Sequence, residues 1–148
     1  MRREDNKGFT LAELLIVVAI IGVLVAISIP IFSKQLEKSR DATSVANIRS
    51  AYAEAMAEYI DPEVTKSDYT NSTKHMSIVY KGNEINQICV MNVELKGKAQ
   101  NNWSGMGDNL PFSISDNHGP GKWMLVFTFN NDGSLKDARI AAMPSSAK

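Results

Sequence analysis

The sequence predicts an α+β protein in which one long N-terminal α-helix, half membrane-like and half amphipathic, packs on a small antiparallel β-sheet. Near the N-terminus lies an apolar run longer than any other in the chain. The residues after it repeat apolar side chains at three- and four-residue steps, the spacing of a helix face. The last third then holds two runs of alternating apolar residues on either side of a turn, the pattern of a hairpin. At 148 residues there is room for one domain and an appendage, since domains commonly hold about 100 to 150 residues.

The helix begins in the segment FTLAELLIVVAIIGVLVAISIPIF, where Leu14 to Ile27 contains no polar side chain. Phe9 to Phe32, as a helix, spans roughly 36 Å, enough to cross a hydrocarbon core of about 30 Å. Arg2, Arg3 and Lys7 precede it and favour a cytoplasmic N-terminus, although Glu4 and Asp5 sit among them and Lys34, Lys38 and Arg40 follow. An ordinary secretory signal is cut on the far side of a shorter apolar run. Here the small residue, Gly8, comes before the run, so a cut after it would leave the hydrophobic helix on the mature chain. The alternative is an uncleaved single-span anchor in which Gly8 has no special role.

Glu13 requires a reason. A carboxylate inside a spanning segment costs roughly 2.5 to 3.5 kcal/mol on insertion scales unless it finds a partner. Near a helix end it can reach interfacial water. A sharper reading is that cleavage before Phe9 creates a free amine, which then pairs with the Glu13 carboxylate of a neighbouring copy and sets the register between them.

Lys7, Gly8, Phe9, Thr10, Leu11, Glu13, Leu14 and Leu15, followed by Gly22 and Pro30, together resemble the start of the type IV pilin family in its short-leader class, pseudopilins included. The resemblance covers about the first 45 residues; beyond them only the layout of helix followed by sheet is similar. It implies that a prepilin peptidase in the membrane cuts between Gly8 and Phe9 and methylates the Phe9 amine, and that Glu13 serves assembly. The implied partners are copies of the chain itself, the peptidase, the pilus assembly machinery and the cytoplasmic membrane. The implied localisation is a single-pass membrane precursor with its N-terminus inside, then a filament on the cell surface.

Pro30 lacks a backbone N–H and crowds the carbonyl of Ala26, and Gly22 costs roughly 1 kcal/mol relative to alanine, so both weaken the helix. Gly and Pro are also simply tolerated in membrane helices. The family suggests more, namely that the stretch between them can lose helicity and let a fibre extend.

The amphipathic half follows, with Val45, Ile48, Tyr52, Met56 and Tyr59 on one face, and it should end near Ile60 because Asp61 precedes Pro62. Residues 63–74 read as a polar loop. Met76 to Lys81 reads as a strand closed by a turn at Gly82 and Asn83. Ile88 to Leu95 shifts phase between Val90 and Met91, as a bulged strand or a short helix would, and strand is preferred. Lys122 to Phe129 and Leu135 to Ala141, joined by Asn131, Asp132 and Gly133, form a hairpin. Residues 101–109 and 116–121 read as exposed loops. The organisation expected is a leader over residues 1–8, an assembly helix over 9–32 and a globular head over 33–148, with helix to residue 60.

Composition excludes several classes. Lysine plus arginine equals aspartate plus glutamate at 16 each, so no basic excess points to nucleic acid. Cys89 is the single cysteine; it cannot form an internal disulfide and reads as a buried thiol. His75 and His118 lie far apart without a neighbouring Cys or His, so no metal or cofactor is expected. The run from Asn130 to Gly133 lacks calcium-loop spacing. Asn71 and Asn102 open glycosylation sequons and are expected unmodified. Trp103 and Trp123 are expected in the core. No nucleophile, base and orienting group form a motif, so the chain is not expected to be an enzyme. The expected function is a structural subunit of a type IV pilus-like filament for adhesion, motility or aggregation. The alternatives are a pseudopilin of a DNA-uptake or type II secretion fibre, or a membrane-anchored binding module that does not polymerise.

Overall fold

The computed structural model describes residues 8–61, 76–82, 84–114 and 118–144. The expected loop at 63–74, His75, Asn83 and the Asn71 sequon lie outside them. The chain forms two compact units, Met1–Leu36 and Glu37–Lys148. Helix α1 (Leu11–Ile60) contributes to both. It is followed by strands β1 (Met76–Lys81), β2 (Glu84–Leu95), β3 (Gly121–Phe129) and β4 (Leu135–Ala141).

In the first unit α1 has no interior. Its large apolar side chains from Leu14 to Phe32 are between 47% and 73% exposed, with Val25 and Phe32 at the two ends of that range. The helix continues through both Gly22 and Pro30.

In the second unit the four strands form one antiparallel sheet in the order β1-β2-β3-β4. Pairing aligns Ile78 with Ile88, Ile88 with Phe127 and Phe127 with Ala138. A second row joins Met76, Val90, Leu125 and Ile140. These rows meet Val45, Ile48, Ala51 and Ala55 of α1 in one core. Tyr52 packs on Phe112 and Phe127 with ring centroids 4.8 and 5.6 Å away, and Tyr59 stacks on Phe129 at 4.5 Å. The small side chains of Ala51 and Ala55 let the helix sit close over the aromatic rows.

β2 is a strand, and longer than the sequence pattern suggests. Its phase shift is a bulge: the register slips between Val90 and Val93, and Asn92 takes a left-handed conformation at φ 61, which asparagine tolerates better than most residues. The slip returns Val93 and Leu95 to the core.

The connection from β2 to β3 departs from expectation. Residues 101–109 were expected as an exposed loop with Trp103 in the core; Trp103 is fully buried as expected, but Gly107 is buried too and the segment is held against α1. Asn102, Trp103 and Ser104 form a left-handed turn, with φ of 52, 50 and 57, leading to a short 3-10 helix, Gly107–Asn109. Polar side chains of α1 hold this connection. The Ser44 hydroxyl accepts from the N–H groups of Lys96 (2.9 Å) and Gly97 (3.0 Å). Ser104 donates to Asp41 Oδ2 at 2.5 Å, Lys98 N donates to Glu37 at 2.7 Å, and Arg49 donates to the Asn109 carbonyl at 2.9 Å. Gly97 touches the helix so closely that a Cβ there would stand 2.9 Å from the Asp41 Cα.

Phe127→Ala should therefore lower stability by about 3 to 5 kcal/mol, whereas Ala46→Lys, on the exposed side of α1, should change it by less than about 0.5 kcal/mol. Urea unfolding of the full chain in mild detergent, followed by tryptophan fluorescence, checks this; equal midpoints for the two variants would refute the placement of the core.

Candidate functional site

All of the residues singled out in the apolar segment lie in the first unit. Thr10 is the N-cap of α1: its carbonyl accepts the first helical hydrogen bond from Leu14 N at 3.2 Å. Its hydroxyl accepts from Glu13 N at 3.2 Å. Glu13 answers in the other direction. Its Oε2 accepts from Thr10 N at 2.8 Å and from the Thr10 hydroxyl at 2.7 Å. This is a reciprocal capping box, which satisfies backbone donors that a helix start otherwise leaves unpaired. Glu13 is thus an exposed carboxylate tied to its own helix by one oxygen. Its T-x-x-E signature was present in the sequence, although Thr10 was read there only as part of a family motif.

Phe9 stands beside this box and is 88% exposed. Further along, a Cβ added at Gly22 would meet nothing within 4 Å. Serine hydroxyls lie on both sides of Pro30: Ser28 donates to the Leu24 carbonyl at 2.7 Å and Ser33 to the Ile29 carbonyl at 3.0 Å. Such back-bonding adds a second donor to helix carbonyls and loosens the ladder slightly. Among the described residues α1 is the one helix long and apolar enough to cross a membrane.

Comparison with known proteins agrees with this geometry. The family signature described as the prokaryotic N-terminal methylation motif matches residues 3–29. The type IV major pilin protein PilA of Myxococcus xanthus is 42% identical over 66 residues, covering 45% of this chain and 30% of that protein. Fimbrial protein EcpC of Eikenella corrodens is 33% identical over 91 residues, covering 61% and 58%. The type IV major pilin protein PilE of Neisseria gonorrhoeae is 24% identical over 116 residues, covering 70% of each. The chain thus spans less than two thirds of the first two of these relatives. No solved structure matches. The N-terminal part of the chain is thus similar to that of type IV pilins, and the arrangement of one long helix with a four-stranded antiparallel sheet is a pilin-like α+β fold.

Residues outside the apolar segment have structural partners. The Asn102 amide donates to Asp108 at 2.6 Å, so the nitrogen of that sequon is engaged. His118 stacks on Trp123 at 4.3 Å, and Trp123 Nε1 donates to the Gly119 carbonyl at 3.0 Å. Trp123 is half-buried against the core rather than within it. Asp132 accepts from the Ser134 hydroxyl (2.6 Å) and N–H (2.9 Å), closing the β3–β4 turn. Those two bonds, the hydroxyl first, hold its carboxyl below the usual range. Their contribution to the turn is therefore present above the ordinary carboxylate pKa and is lost as pH falls through the lowered one. No group of three or more His, Cys, Asp or Glu that could hold a metal occurs among the described residues.

Cys89 is buried on β2. Burial pushes its thiol pKa up, offset only in part by a hydrogen bond with Ser77 and by the charge of Arg139. A thiol of this kind carries little thiolate at neutral pH. The folded chain should accordingly react with an aqueous disulfide reagent at pH 7.5 only as fast as it unfolds. Prompt stoichiometric labelling of the native protein would contradict the burial of Cys89.

Proposed function

We propose that this chain is the subunit of a type IV pilus-like filament. The observation that carries the reading is a helix with apolar side chains exposed on every side and a single ionisable residue, Glu13, between Phe9 and Phe32. Such a surface is far larger than a monomer in water keeps uncovered. Lipid covers it first and neighbouring copies cover it in the fibre. Residues 1–8 are the leader, residues 9–32 the assembly helix and residues 33–148 the head. A prepilin peptidase removes the leader between Gly8 and Phe9 and methylates the new amine, and the pilus assembly machinery draws the subunit from the cytoplasmic membrane, where it sits with its N-terminus inside. Glu13 then pairs with the Phe9 amine of an adjacent subunit, since an unpaired carboxylate in lipid is worse than a paired one. Gly22 and Pro30 weaken the helix between them, which supports extension of the fibre. The relatives above are pilus and fimbrial proteins by name, which favours a surface fibre for adhesion, motility or aggregation over a secretion or DNA-uptake fibre.

Removal of residues 1–8 takes away three bases and two acids, leaving 13 against 14 and a side-chain charge of −1. Fibres sheared from cells should yield a chain whose N-terminal peptide begins at N-methylated Phe9; recovery of intact Met1 chains in fibres would refute processing at this point. Glu13→Val should insert and lose its leader normally while forming few or no fibres, scored by electron microscopy beside an immunoblot for the processed subunit. Wild-type fibre numbers from that variant alone would refute the pairing.

A further inference from the structure

We propose that Thr10 positions Glu13 for the subunit contact, holding one carboxylate oxygen within its own chain and leaving the other for the neighbouring subunit. The inference rests on the reading of Glu13 as an assembly residue. Both donors of Thr10, its N–H at 2.8 Å and its hydroxyl at 2.7 Å, converge on Glu13 Oε2. Among the described residues Oε1 has no hydrogen-bond partner. A carboxylate has about four acceptor sites, so an outside amine can bind Oε1 without displacing Thr10.

Two physical consequences follow. Held by two donors, the side chain is fixed in one direction before the neighbour arrives, which removes an ordering penalty from association. The same bonds partly compensate the carboxylate while it waits in the membrane, where a bare charge is most costly. The hydroxyl therefore acts through Glu13, not on the incoming subunit. The Thr10 N–H survives any substitution except proline, so the side-chain oxygen is the part that mutation can test.

Thr10→Val keeps the shape and removes the hydroxyl. Thr10→Ser keeps it. Thr10→Asp still caps a helix well, but its side chain cannot donate to Glu13 and brings a like charge beside it. With the full-length chain in its own cells, membrane level, leader removal and sheared-fibre yield should be measured for all three and for Glu13→Val. Thr10→Val is expected to be inserted and processed like the wild type yet to give about tenfold fewer fibres. Thr10→Ser should restore the yield and Thr10→Asp should not. Wild-type yield from Thr10→Val, alongside loss of fibres in Glu13→Val, would overturn this inference and leave the role of Glu13 standing. Full assembly by Thr10→Asp would reduce Thr10 to a helix cap, and impaired leader removal in Thr10→Val would place its defect before assembly; either result overturns the inference. Normal fibres from Glu13→Val would remove the reading on which it rests.

Discussion

The hydrogen-bond ladder of α1 is the interaction on which every other part of the molecule depends. In hydrocarbon a backbone N–H or C=O must be satisfied within its own segment, because no water is available to pair it. A helix meets that demand along its length and fails only at its ends and at proline. In α1 the start is closed by the Thr10–Glu13 box, and Pro30 leaves one carbonyl, that of Ala26, without its usual donor. The same ladder carries on into the head, where α1 offers a regular face on which four strands are laid.

That face is unusual in being partly polar. Asp41 and Ser44 are buried on it, and with Glu37 and Arg49 they bond backbone or side chain of residues 96–109. A left-handed turn of three non-glycine residues costs roughly 1 to 2 kcal/mol per residue. Burying an indole of about 150 to 250 Å² returns roughly 4 to 6 kcal/mol. Trp103, in the middle of that turn and fully buried, therefore offsets about as much as the turn costs; among the described residues its Nε1 and Asp41 Oδ1 find no hydrogen-bond partner, a penalty that the bonds from Ser104 to Asp41 and from Asn102 to Asp108 counter. The turn is stable only when the core beneath it has formed.

Legibility in the sequence followed the same division. Periodicity located α1, β1, β4 and most of β2 and β3, because each element buries one face and apolar spacing records it. The fold class followed from their order. The connection after β2 was misread because its anchors are Asp41, Ser44, Gly97 and Ser104, residues that ordinarily signal solvent or turns, and because nothing local marks Trp103 as the centre of a left-handed turn. Ala51 and Ala55 were likewise silent, since alanine on a helix does not announce a buried face. Gly8, Phe9 and Glu13 stood out because charge, chain direction and apolar length are all written locally. What was not anticipated was the direct hold of Thr10 on Glu13, which required the geometry of the first turn.

The distribution of exposed apolar surface separates the work of the two units. Among the described residues of the second unit, Ile60 alone is a highly exposed large apolar side chain, at 78%; the other large apolar side chains there are buried or half-buried. In the first unit nearly every one is open. Hydrophobic association scales with apolar area and has no direction of its own. With that area confined to one cylindrical surface, the drive to cover it, by lipid or by other helices, resides in α1, and it is non-specific along and around the axis. On the reading proposed above, the single carboxylate of Glu13 removes that degeneracy, because a charge in a low-dielectric layer tolerates few positions for its partner. The second unit, with little large apolar surface exposed among its described residues, adds little to that drive.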